Sequence, residues 1–323
     1  MQDKLGRTID YLRISVTDRC NLRCVYCMPE GGVAALSHGD VLRFEEIVRL
    51  TRVMTRLGIR RVRLTGGEPM ARRGCLDLVR ALRGLEGVES VAMTSNGALL
   101  RGRVAEAKDA GLEALNLSVD TLDPDVYARL TRGGDLETAL ETLEQAIAAG
   151  LNVKVNAVPV RGFNDGALAE LAALAKDRPI CVRFIELMPI GCARDLRGIP
   201  NSEVRARLTD AFGAMEPDDT AHGFGPARYW KPRGFVGSVG LIGAVSHEFC
   251  ETCNRVRLTA DGRLKLCLNH TQGLDLRAML RSGAGDGELE AAIREAIGNK
   301  PRCHGFYEDV CDREARRMNQ IGG

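Results

Sequence analysis

Six short β-like runs, separated by longer stretches of helical periodicity, occupy residues 11–186. That order leaves few folds open. Consecutive strands joined through helices pair in parallel by right-handed crossovers, so the expectation is an α/β sheet covered by helices. The runs fall at residues 11–17, 61–65, 90–94, 114–119, 152–159 and 180–186, with amphipathic stretches such as 44–57 and 135–149 between them. Six units are too few for a full eight-strand barrel. A partial, six-unit parallel β/α barrel is therefore expected.

The strands carry a second pattern, because residues two apart share a face. Arg13, Ser15 and Thr17 alternate with Leu12, Ile14 and Val16, and Arg61, Arg63 and Thr65 alternate with Val62 and Leu64. Asn116, Ser118 and Asp120 alternate with Leu115, Leu117 and Val119, and Asn152, Lys154 and Asn156 with Val153 and Val155. Helices must cover the apolar face, so the polar face points into the barrel. Ordinary barrel interiors are packed with branched apolar side chains; a polar interior implies a ligand cavity. An antiparallel sheet with one solvated face gives the same alternation, but the intervening helices argue against it.

After about residue 221 the pattern changes to Gly-rich, strand-like pieces at 229–230, 235–242 and 255–259, followed by two short helical stretches. The expected organisation is a barrel over residues 1–220 and an appended, cluster-binding module over 221–323 that closes the barrel's open side. With 45 basic and 43 acidic residues the formal net charge is only +2, which argues against a protein that coats nucleic acid. No apolar run approaches a membrane span, and the start lacks the apolar core of a signal peptide, so a cytoplasmic location is expected.

Six of the eleven cysteines form two tight triplets. In a reducing compartment such spacing points to metal or redox chemistry. Cys20, Cys24 and Cys27 form a C-x3-C-x2-C in the loop after the first strand. Iron–sulfur clusters normally take four thiolates, so a triplet leaves one iron open to a ligand. Zinc favours paired C-x2-C knuckles, and this asymmetric triplet fits a catalytic cluster better. The second triplet is Cys250, Cys253 and, after thirteen residues, Cys267. His270 follows and could complete a Cys3His zinc site, so taken alone this triplet is open between zinc and iron–sulfur. Cys75, Cys181, Cys192, Cys303 and Cys311 are scattered and read as ordinary small thiols.

The first triplet, with Gly66-Gly67-Glu68-Pro69 after the second strand, resembles the radical S-adenosylmethionine (SAM) superfamily. The resemblance implies a 4Fe-4S cluster that chelates SAM and, once reduced, cleaves it to methionine and a 5′-deoxyadenosyl radical. Along nearly the whole chain the sequence is similar to the GTP 3′,8-cyclases of molybdenum-cofactor biosynthesis. The residues that carry this run from Asp10 to Arg19, through 94–97, 116–120, 153–156 and 183–189, to the terminal Gly322-Gly323. The segment 190–195 departs from the family pattern, lacking the expected Asn and Trp.

The resemblance implies that Cys20, Cys24 and Cys27 hold the SAM cluster and that Tyr26, Gly67, Ser118 and Met188 meet SAM. Arg13, Arg63, Thr94 and Lys154 would contact GTP, with Arg255, Val256 and Arg257 completing its site. Cys250, Cys253 and Cys267 would hold a second 4Fe-4S cluster whose open iron faces guanine, and Gly322 and Gly323 would enter the barrel to orient the ribose. The reaction takes hydrogen from C3′ of GTP and joins C3′ to C8. Expected partners are an electron donor and a downstream cyclic pyranopterin monophosphate synthase, with no nucleic acid or membrane, and a monomer or homodimer. The rival readings are a radical SAM enzyme of peptide maturation and a non-enzymatic zinc or electron-carrier protein.

Overall fold

The computed structural model describes residues 1–220, 222–246, 249–306 and 314–322. The six expected strands are β1 (Tyr11–Ser15), β2 (Arg61–Thr65), β3 (Ser90–Ser95), β4 (Ala114–Ser118), β5 (Asn152–Ala157) and β6 (Cys181–Ile185). Every neighbouring pair among them is parallel, which removes the antiparallel alternative. β1 is shorter than the run 11–17, because the Thr17 hydroxyl turns to accept from the Arg19 N–H, at 3.1 Å, and ends the ladder.

Six more strands follow: β7 (Met215–Pro217), β8 (Arg228–Pro232), β9 (Ser238–Ile242), β10 (Arg255–Leu258), β11 (Arg263–Lys265) and β12 (Gly273–Asp275). All twelve form one sheet in the order β12-β11-β10-β1-β2-β3-β4-β5-β6-β9-β8-β7. β10 pairs in parallel outside β1, and β9 in parallel outside β6, so the parallel core gains a strand at each edge from the C-terminal part. Among the described residues the two end strands do not pair with each other, and the barrel stays open.

The apolar alternates form the core. Leu12, Ile14, Leu64, Leu115, Leu117 and Val155 are fully buried and join one cluster with the inward faces of the helices. Each such side chain stabilises the fold by roughly 1.5–3 kcal/mol. Helix Phe44–Arg56 buries Ile47, Leu50, Val53 and Met54, and Glu46 in its first turn accepts from the Arg43 N–H at 2.6 Å. Helix Leu136–Ala148 starts where the Asp135 carboxylate accepts from Glu137 N and Thr138 N. With the core committed to one face, the other face of the sheet is free to line a site.

Candidate active site

The polar alternates surround a cavity of about 570 Å³. Arg13 from β1, Arg63 from β2, Thr94 from β3, Ser118 from β4 and Lys154 from β5 all line it, as the alternation requires. Strand register sets three of its cations abreast: Arg257 on β10 is opposite Arg13 on β1, which is opposite Arg63 on β2. Arg61, Arg183 and Arg255 add further guanidiniums to the wall. Arg183 is held by Asn156, whose side-chain oxygen accepts from Nε at 2.9 Å and Nη2 at 2.6 Å. The Arg63 Nε donates to the Tyr11 hydroxyl.

Burial is unfavourable for so many cations. Desolvation, followed by the charge of Arg257, pulls Arg13 well below its ordinary value, and desolvation with Arg255 brings Arg257 down to about 10. Burial and Arg183 bring Lys154 to about 8. Cations held in this way are stabilised by a polyanion of matching shape, and Arg supplies bidentate geometry for phosphate oxygens.

At one side of the cavity stands the first cysteine loop. Residues 66–68 clamp it from beneath: Gly67 N donates to Thr17 O and Glu68 N to Arg19 O, each at 2.8 Å. A Cβ on Gly67 would lie 2.3 Å from Arg19 O, so only glycine fits. Gly67 therefore approaches the cysteine loop backbone and is not part of the cavity wall. Glu68 accepts from Met70 N, the Ser95 hydroxyl and Asn96 N, yet burial still raises its carboxyl to about 7. Tyr26 lines the cavity and donates to Asp120 at 2.7 Å, and burial raises Asp120 to about 6.

The three thiols sense one another. Burial, then Cys27, Asp120 and Cys20, push Cys24 well up, and burial with Cys20 pushes Cys27 to about 12. Half-buried thiols within one another's electrostatic reach fit a positively charged iron–sulfur core, and an all-sulfur donor set suits such a cluster. Among the described residues no group of three His, Cys, Asp or Glu side chains is close enough to hold a single metal ion.

Cys250, Cys253 and Cys267 line the same cavity, beside Arg255 and Arg257. Burial works to raise the Cys253 thiol, but Arg255 and Lys300 together bring it down to about 7, which favours a thiolate ligand. The His270 ring Nε2 lies 3.1 Å from the Cys303 carbonyl oxygen. Val256 is fully buried in the core between the two arginines and does not line the cavity. Met188 lines the cavity, as does Met318 at the start of the last helix, Met318–Ile321.

The C-terminal tail reaches the sheet. Asn319 donates from its side chain to Asp18 O at 2.9 Å, which ties the tail to the start of the cysteine loop. Gly322 has φ +73°, and its carbonyl accepts from Arg257 Nη1 at 2.9 Å. Gly323 and Cys311 both lie outside the described residues.

Strand alternation places Arg61, Asn156 and Asp120 on the polar faces but assigns them no role, and Tyr11 and Arg183 escape it as cavity residues. The signal for both was present: Tyr11 is in phase with Arg13, and Arg183 stands between Val182 and Phe184. Glu68 and Asp120 are the carboxylates that tie the loops. They act through contacts between separate loops, for which the local sequence holds no signal.

Residues 14–175 match the Radical SAM superfamily, and residues 180–306 match Molybdenum Cofactor Synthesis C. A GTP 3′,8-cyclase of Pelotomaculum thermopropionicum is 48% identical over 100% of both chains. Those of Heliobacterium modesticaldum and Moorella thermoacetica are 45% and 44% identical, again over the full length of each. Among solved structures, Streptococcus suis SuiB bound to S-adenosylmethionine superposes with a TM-score of 0.64 at 16% identity, covering 89% of this chain and 68% of that one. That likeness shows the fold alone. Full-length identity of this degree, together with matches to both family models, means that the chain belongs to the GTP 3′,8-cyclase family of the radical SAM superfamily.

Proposed function

We infer that the chain is a radical SAM GTP 3′,8-cyclase, which converts GTP to (8S)-3′,8-cyclo-7,8-dihydroguanosine 5′-triphosphate in the first step of molybdenum-cofactor biosynthesis. The observation that carries this reading is one cavity lined both by Tyr26 of the first cysteine loop and by Cys250, Cys253 and Cys267, with the row Arg257, Arg13 and Arg63 on its wall. When bound, a reduced cluster with SAM supplies one-electron chemistry able to remove hydrogen from an unactivated carbon.

The chain's own residues do the rest. Cys20, Cys24 and Cys27 hold the SAM cluster, and Tyr26, Ser118 and Met188 meet SAM, while Gly67 shapes the loop from behind. Arg13, Arg63, Thr94 and Lys154 bind the nucleotide, and Arg255 and Arg257 complete its site. Cys250, Cys253 and Cys267 hold the second cluster. Gly322 and Gly323 bring the tail to the reacting sugar, where close positioning contributes most to rate. An external one-electron donor is required, and the product passes to a cyclic pyranopterin monophosphate synthase. Clusters of this kind persist in a reducing compartment, which supports a cytoplasmic location.

Anaerobic reconstitution should give about eight irons and eight sulfides per chain, one four-iron cluster per triplet. Replacing Cys250, Cys253 and Cys267 together should halve the iron and leave SAM binding intact. With GTP, SAM and a reductant, 5′-deoxyadenosine and cyclised nucleotide should form together. Stoichiometric zinc at the second triplet, or SAM cleavage with no consumption of GTP, would overturn the reading.

A further inference from the structure

The Asp3–Arg7 pair near the chain start is almost fully buried, at 7% and 6% exposure, yet neither residue lines the cavity. Asp3 accepts from Leu5 N and Arg7 N at 2.9 Å and from Arg7 Nε at 2.6 Å. The rest of the guanidinium reaches distant main chain. Nη1 donates to Cys250 O at 2.9 Å and Arg302 O at 3.2 Å, and Nη2 donates to Lys300 O at 3.0 Å and Pro301 O at 2.9 Å. All five N–H donors of one arginine are therefore used, four of them on carbonyls.

Lys300 continues the chain of contacts and is itself only 6% exposed. Its Nζ donates to Arg255 O at 2.9 Å and to Leu266 O, and its charge acts on the Cys253 thiol. Arg255 follows Cys253 by two residues, and Leu266 immediately precedes Cys267. One arginine thus fixes the Cys250 carbonyl and the turn that carries Lys300. One lysine then fixes the segments that carry Cys253 and Cys267.

We propose that Arg7 and Lys300 form a buried two-cation brace that positions all three cysteines of the second triplet and keeps a positive charge beside it. The inference rests on the reading that this triplet binds a cluster. Arg7 is a positioning residue that acts through main chain, and a lysine could not reproduce its planar fork. Lys300 also brings its charge close to the triplet, and nearby charge helps to set reduction potential.

The test uses the full chain with Cys20, Cys24 and Cys27 changed to Ala, so that only the second cluster reports. This parent should hold about four irons. In it, Lys300→Met should keep the iron but shift the midpoint potential to a more negative value, because a nearby cation is lost. Arg7→Lys should lose iron to a chelator about tenfold faster, the usual scale for outer contacts of a metal site. Thermal melts and SAM binding of the same two variants with the first triplet restored report on the rest of the fold. Unchanged potential and unchanged iron release would overturn the brace while leaving the cluster reading intact. A variant that unfolds or loses SAM binding equally would make these residues general scaffold and overturn it too. A parent without iron would remove the cluster reading and the brace with it.

Discussion

Lys154 is a cavity cation whose charge is close to being lost near neutral pH. Burial and Arg183 hold it at about 8, below the ordinary lysine value, so its charged form dominates only below that pH. A bound triphosphate favours the charged form and raises the value again. GTP binding should therefore take up a proton just above that pH, and affinity should fall as pH rises through it. Calorimetry in two buffers of different ionisation enthalpy measures this uptake, and Lys154→Arg should abolish it. Changing Arg63 or Lys154 to Ala should weaken GTP binding by roughly 1.5–3 kcal/mol for each charge-assisted hydrogen bond lost. At this scale Arg13, Arg63 and Lys154 were legible, because period-two alternation fixes which side chains share a face. Arg7 and Lys300 were not. Their partners are backbone carbonyls far along the chain, 243 residues from Arg7 to Cys250 and 45 from Lys300 to Arg255, and a carbonyl leaves no mark in the sequence.

The tail is an element whose attachment can be tested piece by piece. Glu314 pairs with Lys265 in full burial, its N–H donates to Asn269 O at 2.6 Å, and its carbonyl accepts from Arg194 at 2.8 Å. Glu314→Ala leaves a buried ammonium without its carboxylate and should cost about 3–5 kcal/mol, read by denaturant unfolding of the reconstituted protein. Further along, a Cβ on Gly322 would lie 2.9 Å from both Ser15 Cβ and Thr65 Oγ1, at a φ that disfavours any side chain. Gly322→Ala should thus displace the tail and raise the ratio of 5′-deoxyadenosine to cyclised nucleotide, with iron content unchanged. A product ratio equal to that of the parent would show that the tail does not orient substrate. The strands β1 to β6 were legible within two residues at each end, since their alternation and the helices between them are local. The pairing of β9 with β6 and of β10 with β1 was not, because strand partners far apart in sequence are chosen by packing.

At the scale of the whole molecule, those two pairings carry a consequence for how the chain is made. During synthesis, β1 and β6 emerge early as open edges, each presenting unpaired backbone donors and acceptors. β9 and β10 cover them only after residue 258 has left the ribosome, which is a high-contact-order closure. A nascent chain halted near residue 220 would hold β1 to β6 with both edges of the parallel core bare. Such a fragment, expressed alone, should aggregate or recruit chaperones instead of folding as an independent unit, and co-expression with residues 221–323 should rescue its solubility.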